Sequence, residues 1–169
     1  ANVKNFSLLA IKNLLLTLIE KRDNGEAIPP ISIYTLLVPD DVLTLVQNLN
    51  DFVTQNDCKG IDLTINVPQD FLENTDIRHL NSFASFLKKI GFSLGVYLVG
   101  ERYVHNSCFT RGVFRRIVMA PTFLDTALTS TESASYAALT LNNLKSVSDF
   151  ISIPLSVTDA GAEHFFKCD

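Results

Sequence analysis

Apolar side chains recur along this chain with two different periods. Residues 6–21 repeat them at intervals of three and four, which predicts an amphipathic helix with one buried face. The stripe on that face is formed by Leu8, Ile11, Leu15 and Leu18. Residues 31–38 (ISIYTLLV) instead form one continuous apolar, β-branched run between prolines. Such a run predicts a strand buried on both faces, as in a parallel sheet.

The two patterns then alternate to the end of the chain. Further helices are predicted over residues 42–53, 77–90, 133–150 and 160–168. Further strands are predicted over residues 61–67, 92–99, 114–119 and 151–157. This order predicts an α/β fold with a parallel sheet and crossover helices, either an open doubly wound sheet or a barrel. Since a complete (β/α) barrel takes ~250 residues, residues 1–169 are expected to form a single domain with a partial or incomplete barrel.

Composition narrows the class of protein. Apolar residues make up 47% of the chain and charged residues 19%, which is typical of a packed globule, and the net charge of −4 argues against direct nucleic-acid binding. The apolar segment 6–19 is too short to span a bilayer, so no membrane association is expected. Cys58, Cys108 and Cys168 lie far apart and form neither a disulfide framework nor a zinc motif. Free thiols of this kind indicate a cytoplasmic protein.

The predicted carboxyl ends of the strands lack ionisable side chains that could act in catalysis. In parallel α/β proteins catalytic groups cluster there, yet these ends contain no Asp, Glu, Lys or His and offer only Asn66, Tyr97 and Ser156. The sequence contains no glycine-rich phosphate loop, and its histidines lack a second ligand at metal-binding spacing. We therefore expect no catalytic residues, no metal ligands, no cofactor and no enzymatic activity.

Four segments nevertheless resemble a known enzyme family. Residues 87–103 (LKKIGFSLGVYLVGERY) are similar to the helix, strand and loop that carry the motif DDFGTGY in EAL domains, the barrel-shaped cyclic-di-GMP phosphodiesterases. Gly91, Gly100 and Tyr103 match this segment of the family, whereas Tyr97 and Leu98 stand where the adjacent aspartates would be. The resemblance implies an EAL-type barrel that has lost metal-binding residues.

The other three segments show the same combination of a matching scaffold and missing functional residues. IDLTINV (61–67) resembles ELEITES, with Thr64 in place of the metal-binding glutamate. RIVMAPTFL (116–124) resembles LKIDRSFV, with Val118 for the lysine and Ala120 for the aspartate. The segment 151–169 resembles VVAEGVETEEQ, with Pro154 and Val157 where the glutamates belong. The resemblance begins near Phe6 and lacks the family's first strand and last elements.

A subgroup of the family suggests a function. RGVFRRIVMAPTFLDT (111–126) is similar to the corresponding stretch of the degenerate EAL-like repressors of enteric bacteria, which bind the FlhD subunit of the flagellar master regulator. The resemblance implies an anti-activator of flagellar gene expression that acts by protein contact, with FlhD as partner and without cyclic-di-GMP as ligand. The alternative left open is a cyclic-di-GMP receptor without hydrolytic activity.

One loop offers partner-binding residues. Arg102, Tyr103, Phe109 and Arg111 lie close together between two predicted strands, and aromatic and arginine side chains are the usual anchors of protein interfaces. We predict that they contact the partner. The alternative is that Tyr103 and Phe109 pack over the end of the sheet.

Overall fold

The computed structural model describes residues 3–37, 39–98, 109, 112–120, 130–152 and 154–157. Its helices are α1 (Val3–Asp23), α2 (Val42–Gln55), α3 (Gln69–Asn74), α4 (Ile77–Lys89) and α5 (Thr131–Ile151). Its strands are β1 (Ile31–Tyr34), β2 (Leu63–Pro68), β3 (Ser93–Leu98), β4 (Arg116–Met119) and β5 (Leu155–Val157). A single 3₁₀ turn, Pro39–Asp41, precedes α2 in the described chain.

The strands form one parallel sheet in the order β1-β2-β3-β4-β5. Each strand therefore pairs with the next one along the chain, and the described strands never reverse direction across the sheet. A doubly wound sheet has a switch point where the strand order reverses. The predicted α/β fold with a parallel sheet is thus confirmed, and the sequential order is compatible with part of a (β/α) barrel.

Helix α4 shows how the sequence sets these elements. The Asp76 carboxylate accepts a hydrogen bond from the backbone N–H of Arg78, which caps the helix start. Gly91, at φ +87°, turns the chain into β3 in a conformation that side chains disfavour. Its buried side chains recur at intervals of three and four and comprise Leu80, Phe83, Ala84 and Leu87.

Strand β1 differs from its prediction. It ends at Tyr34, so Leu36 lies in the connection that follows. Both side chains are exposed, Tyr34 by 51% and Leu36 by 73%, rather than buried between two layers. These side chains are exposed because, among the described strands, β1 pairs only with β2 and therefore forms an edge of the sheet.

The region around β5 also differs from its prediction. The predicted strand 151–157 begins only at Leu155, because Ile151 is the last residue of α5 and Ser152 ends that helix in the left-handed conformation at φ 58°. Tyr136 and Leu139 of this helix are exposed, whereas Ala137 is buried. In this turn the helix therefore buries the small side chain of Ala137 instead of the larger ones of Tyr136 and Leu139. Helix α3 was not predicted, and the predicted helix 160–168 lies outside the described residues.

Candidate functional site on the polar face of the sheet

The two faces of the sheet differ in chemistry. Side chains alternate between the faces along each strand, and the strand register places Ile33, Ile65 and Leu94 in one apolar row that packs in the core with the helices. We call the opposite side the polar face. It is formed by Ser32, Tyr34, Thr64, Asn66, Ser93, Tyr97 and Arg116. In a (β/α) barrel, the face away from the helices points into the barrel.

Asn66 occupies the centre of the polar face and is fully buried. Its Nδ2 donates hydrogen bonds to the Ser32 Oγ at 2.6 Å and to the Ile33 carbonyl oxygen at 2.9 Å. Because a carbonyl can only accept, the amide nitrogen must lie on that side and Oδ1 must point away from β1. That oxygen has no hydrogen-bond partner among the described residues.

Gly95 of β3 is the register partner of Asn66 and leaves room for its amide. A β-carbon on Gly95 would lie 2.2 Å from the Asn66 Oδ1, well inside van der Waals contact. The side chain of Asn66 therefore extends over the backbone of β3, and any residue larger than glycine would collide with it.

Two tyrosines lie near Asn66: Tyr34 is its register partner on β1, and Tyr97 lies two residues after Gly95 on β3. The rings of Tyr34 and Tyr97 are 4.9 Å apart at an interplanar angle of 63°, an edge-to-face contact that joins β1 to β3 across β2. The Thr35 hydroxyl donates to the Asn66 carbonyl oxygen at 3.0 Å and holds the end of β1 against β2. Uncharged side chains therefore occupy this part of the polar face.

An ion pair lies at the other end of the strands. The Arg115 guanidinium contacts both carboxylate oxygens of Asp62, and its Nη2 lies 2.8 Å from Oδ2. The hydrogen bond that Arg115 donates to Asp62 raises the pKa of Arg115 above its ordinary value. Because Asp62 precedes β2 and Arg115 precedes β4, the pair ties together two strands that are separated by β3.

Three positions that the resemblance aligns with EAL functional residues lie on the polar face. Thr64, in place of the metal-binding glutamate, is almost fully buried there. Tyr97, in place of an aspartate, and Val118, in place of the lysine, are register partners on adjacent strands. Leu98, at the second aspartate position, lies on the apolar face and is buried.

The predicted partner-binding loop is described at one residue only. Phe109 is 7% exposed, and its ring centre lies 6.3 Å from that of Phe114 in an edge-to-face contact. Its side chain is therefore buried and packs against Phe114. Arg102, Tyr103 and Arg111 lie outside the described residues.

Two cavities that the sequence did not reveal lie beside the helices. A cavity of about 390 Å³ opens between α2 and α4, with Val42, Leu43 and Phe86 in its walls. Leu43 is 68% exposed. A second cavity of about 200 Å³ lies between α1 and β1 and includes Tyr34 and Leu36.

We call Tyr34, Leu36, Leu43 and these two cavities the apolar edge surface. The signal for it was weak in the sequence, because apolar residues that lie outside a periodic stripe are common at exposed positions.

In the part of the chain that the structure describes, histidine, cysteine, aspartate and glutamate nowhere gather in a group of three that could hold a metal ion. Within the same residues, no helix has both the length and the apolar composition needed to cross a bilayer.

Comparison with protein-family models and with curated protein sequences found no match to this chain.

Proposed function

We propose that this chain is a non-catalytic, EAL-like regulatory protein that acts by binding another protein. Its scaffold would be an incomplete EAL-type (β/α) barrel. By the resemblance of residues 111–126, the partner is the FlhD subunit of the flagellar master regulator and the outcome is repression of flagellar genes in the bacterial cytoplasm.

The observation that carries this function is the apolar edge surface. Leu36 and Leu43 expose most of their side chains beside cavities lined mainly by apolar residues. Large exposed apolar groups around a concavity are typical of sites that another molecule covers. A cavity of about 390 Å³ has room for one or two large side chains of a partner.

Charges around the larger cavity indicate the chemistry of the partner. Asp76 is part of its wall, and Asp40 is exposed next to Pro39, which also lines it. The nearby Arg78 already pairs with Asp76. Because Arg78 offsets Asp76, Asp40 is the uncompensated charge beside the cavity in the described part of the chain, and it suits a partner segment that presents an apolar anchor flanked by lysine or arginine.

The polar face supports a binding role over hydrolysis. Two-metal hydrolysis needs side chains that hold both ions. At the carboxyl ends of β1 to β3, the space is instead taken by the Tyr34–Tyr97 ring pair and by Asn66, whose amide hydrogen bonds are directed to Ser32 and Ile33. These contacts stabilise the sheet.

A pair of leucine substitutions tests where the partner binds. Leu43→Gln removes an exposed apolar side chain from the larger cavity, and Leu139→Gln removes an equally exposed leucine from α5, outside both cavities. Glutamine and leucine have similar helix propensities, so both variants should fold. We expect Leu43→Gln to weaken FlhD binding about tenfold, the effect of losing an interface anchor, and Leu139→Gln to leave it unchanged. Equal affinities for both variants would remove the apolar edge surface from the interface.

A further inference from the structure

A third cavity, of about 200 Å³, lies at the amino ends of the strands. Its polar walls come from three strands: Ser32 of β1, Thr64 of β2, and Arg115 and Arg116 at the start of β4. Arg116 is the register partner of Gly95 on β3, over which the amide of Asn66 extends. This cavity is distinct from the apolar edge surface.

Arg116, which lines this cavity, has a polar donor without a partner in the described part of the chain. Its Nε–H is buried and has no hydrogen-bond partner among the described residues. Leaving a charged donor unpaired in a buried place is costly. A bound group that accepts this hydrogen bond would therefore be stabilised by the protein.

Two hydroxyls in the cavity are also available as donors. The Ser32 Oγ accepts a hydrogen bond from Asn66, so its own proton is left to donate. Thr64 adds a second hydroxyl. The carboxylate of Asp62 engages Arg115 through both oxygens, so among the described residues Arg116 is the uncompensated positive charge of the cavity.

We infer that this cavity binds an oxyanion, a phosphate or a carboxylate group, with Arg116 as its main contact. Several donors around one positive charge match the several acceptor oxygens of such a group. The volume is below the ~300 Å³ at which ligand pockets usually begin, so the cavity would take a single anionic group, either free or at the end of a larger molecule. This site goes beyond the protein-binding function proposed above and does not depend on it.

The Arg116 side-chain Nε–H resonance tests this inference directly in the unmodified protein. Inorganic phosphate and acetate are titrated separately at constant ionic strength, so that screening does not change between points. We expect a saturable shift of this resonance with at least one anion. Saturation with phosphate alone assigns a phosphate group, and saturation with acetate assigns a carboxylate. No saturable shift with either anion would overturn the inference.

Substitutions supply the matched controls. Arg116→Met keeps the apolar stem and removes the charge, and should weaken anion binding at least about tenfold. Ser32→Ala removes one hydroxyl and should weaken it severalfold, which keeps the test decisive if the first variant does not fold. Arg78→Met changes an exposed arginine outside the cavity and should leave binding unchanged. Undiminished anion binding in a folded Arg116→Met or Ser32→Ala variant would contradict the assignment.

Discussion

Gly95 and Asn66 fit each other so closely that a β-carbon on the glycine would lie 2.2 Å from the Oδ1 of the asparagine. The two residues are register partners on β3 and β2. Asn66 is fixed in place by its hydrogen bonds to Ser32 and Ile33, so it cannot move aside without losing them.

Gly95→Ala should therefore destabilise the protein, although alanine suits a strand at least as well as glycine. We expect a loss of about 1–3 kcal/mol in the free energy of unfolding, typical of overpacking in a well-packed core. Urea unfolding measures it. In the double variant Gly95→Ala with Asn66→Ala, the collision is gone, so the combined loss should be smaller than the sum of the two single losses. Additive losses would show that the contact is not the cause.

Phe109 is expected to support the fold. Because it packs edge-to-face against Phe114 and is almost fully buried, Phe109→Ala should cost about 3–5 kcal/mol of unfolding free energy, as other buried phenylalanines do. Phe150→Ala is the matched control, since that ring is exposed on α5, and should change stability by less than about 0.5 kcal/mol. Thermal unfolding of both variants makes the comparison. Equal melting temperatures would place Phe109 outside the core.

Asp76 should make the stability of the chain depend on pH. Its hydrogen bonds from Arg78, first from the side chain and then from the backbone N–H, lower the pKa of this carboxyl in the folded state. A lowered pKa contributes stability that is present above the unfolded value, about 3.9, and is lost as pH falls through the folded value.

Asp76→Asn keeps an oxygen that can cap α4 but does not titrate. We expect the stability difference between wild type and Asp76→Asn to shrink as pH falls below about 4. Denaturant unfolding over a pH series measures this difference. A stability difference that stays constant across the pH series would mean that ionisation of the Asp76 carboxyl does not cause it.

The protein is expected not to hydrolyse cyclic-di-GMP. The polar-face positions that the resemblance aligns with metal-binding and catalytic residues hold Thr64, Tyr97 and Val118, none of which is a usual ligand of magnesium or manganese. Incubation with cyclic-di-GMP and either ion should yield no linear dinucleotide by chromatography. Metal-dependent turnover that survives repurification would contradict the non-catalytic assignment.

Periodic patterns predicted the elements that lie inside the fold. The stripe of α4 and the apolar run of β3 could be read from the sequence because packing on one or both faces dictates each residue type. The ends of the sheet were harder to predict. An apolar run does not show which strand forms an edge, so the exposure of Tyr34 and Leu36 was missed, and β5 was predicted to start at Ile151.

The candidate site was predictable only in part. The lack of charged groups at the strand ends could be seen in the sequence, since it follows from residue types alone. The contact between Asn66 and Gly95 and the donors around Arg116 depend on strand register, which brings together residues that are distant along the chain. No local pattern in the sequence marks such pairs.

A calorimetric titration of the purified chain with purified FlhD tests the central claim most directly. We predict a saturable, stoichiometric complex at micromolar concentrations. Leu43→Gln should weaken the affinity of this complex, and Leu139→Gln should leave it unchanged. Titration of the same protein with cyclic-di-GMP should give no binding heat. Saturable binding of cyclic-di-GMP together with no complex with FlhD would contradict the account and favour a nucleotide receptor.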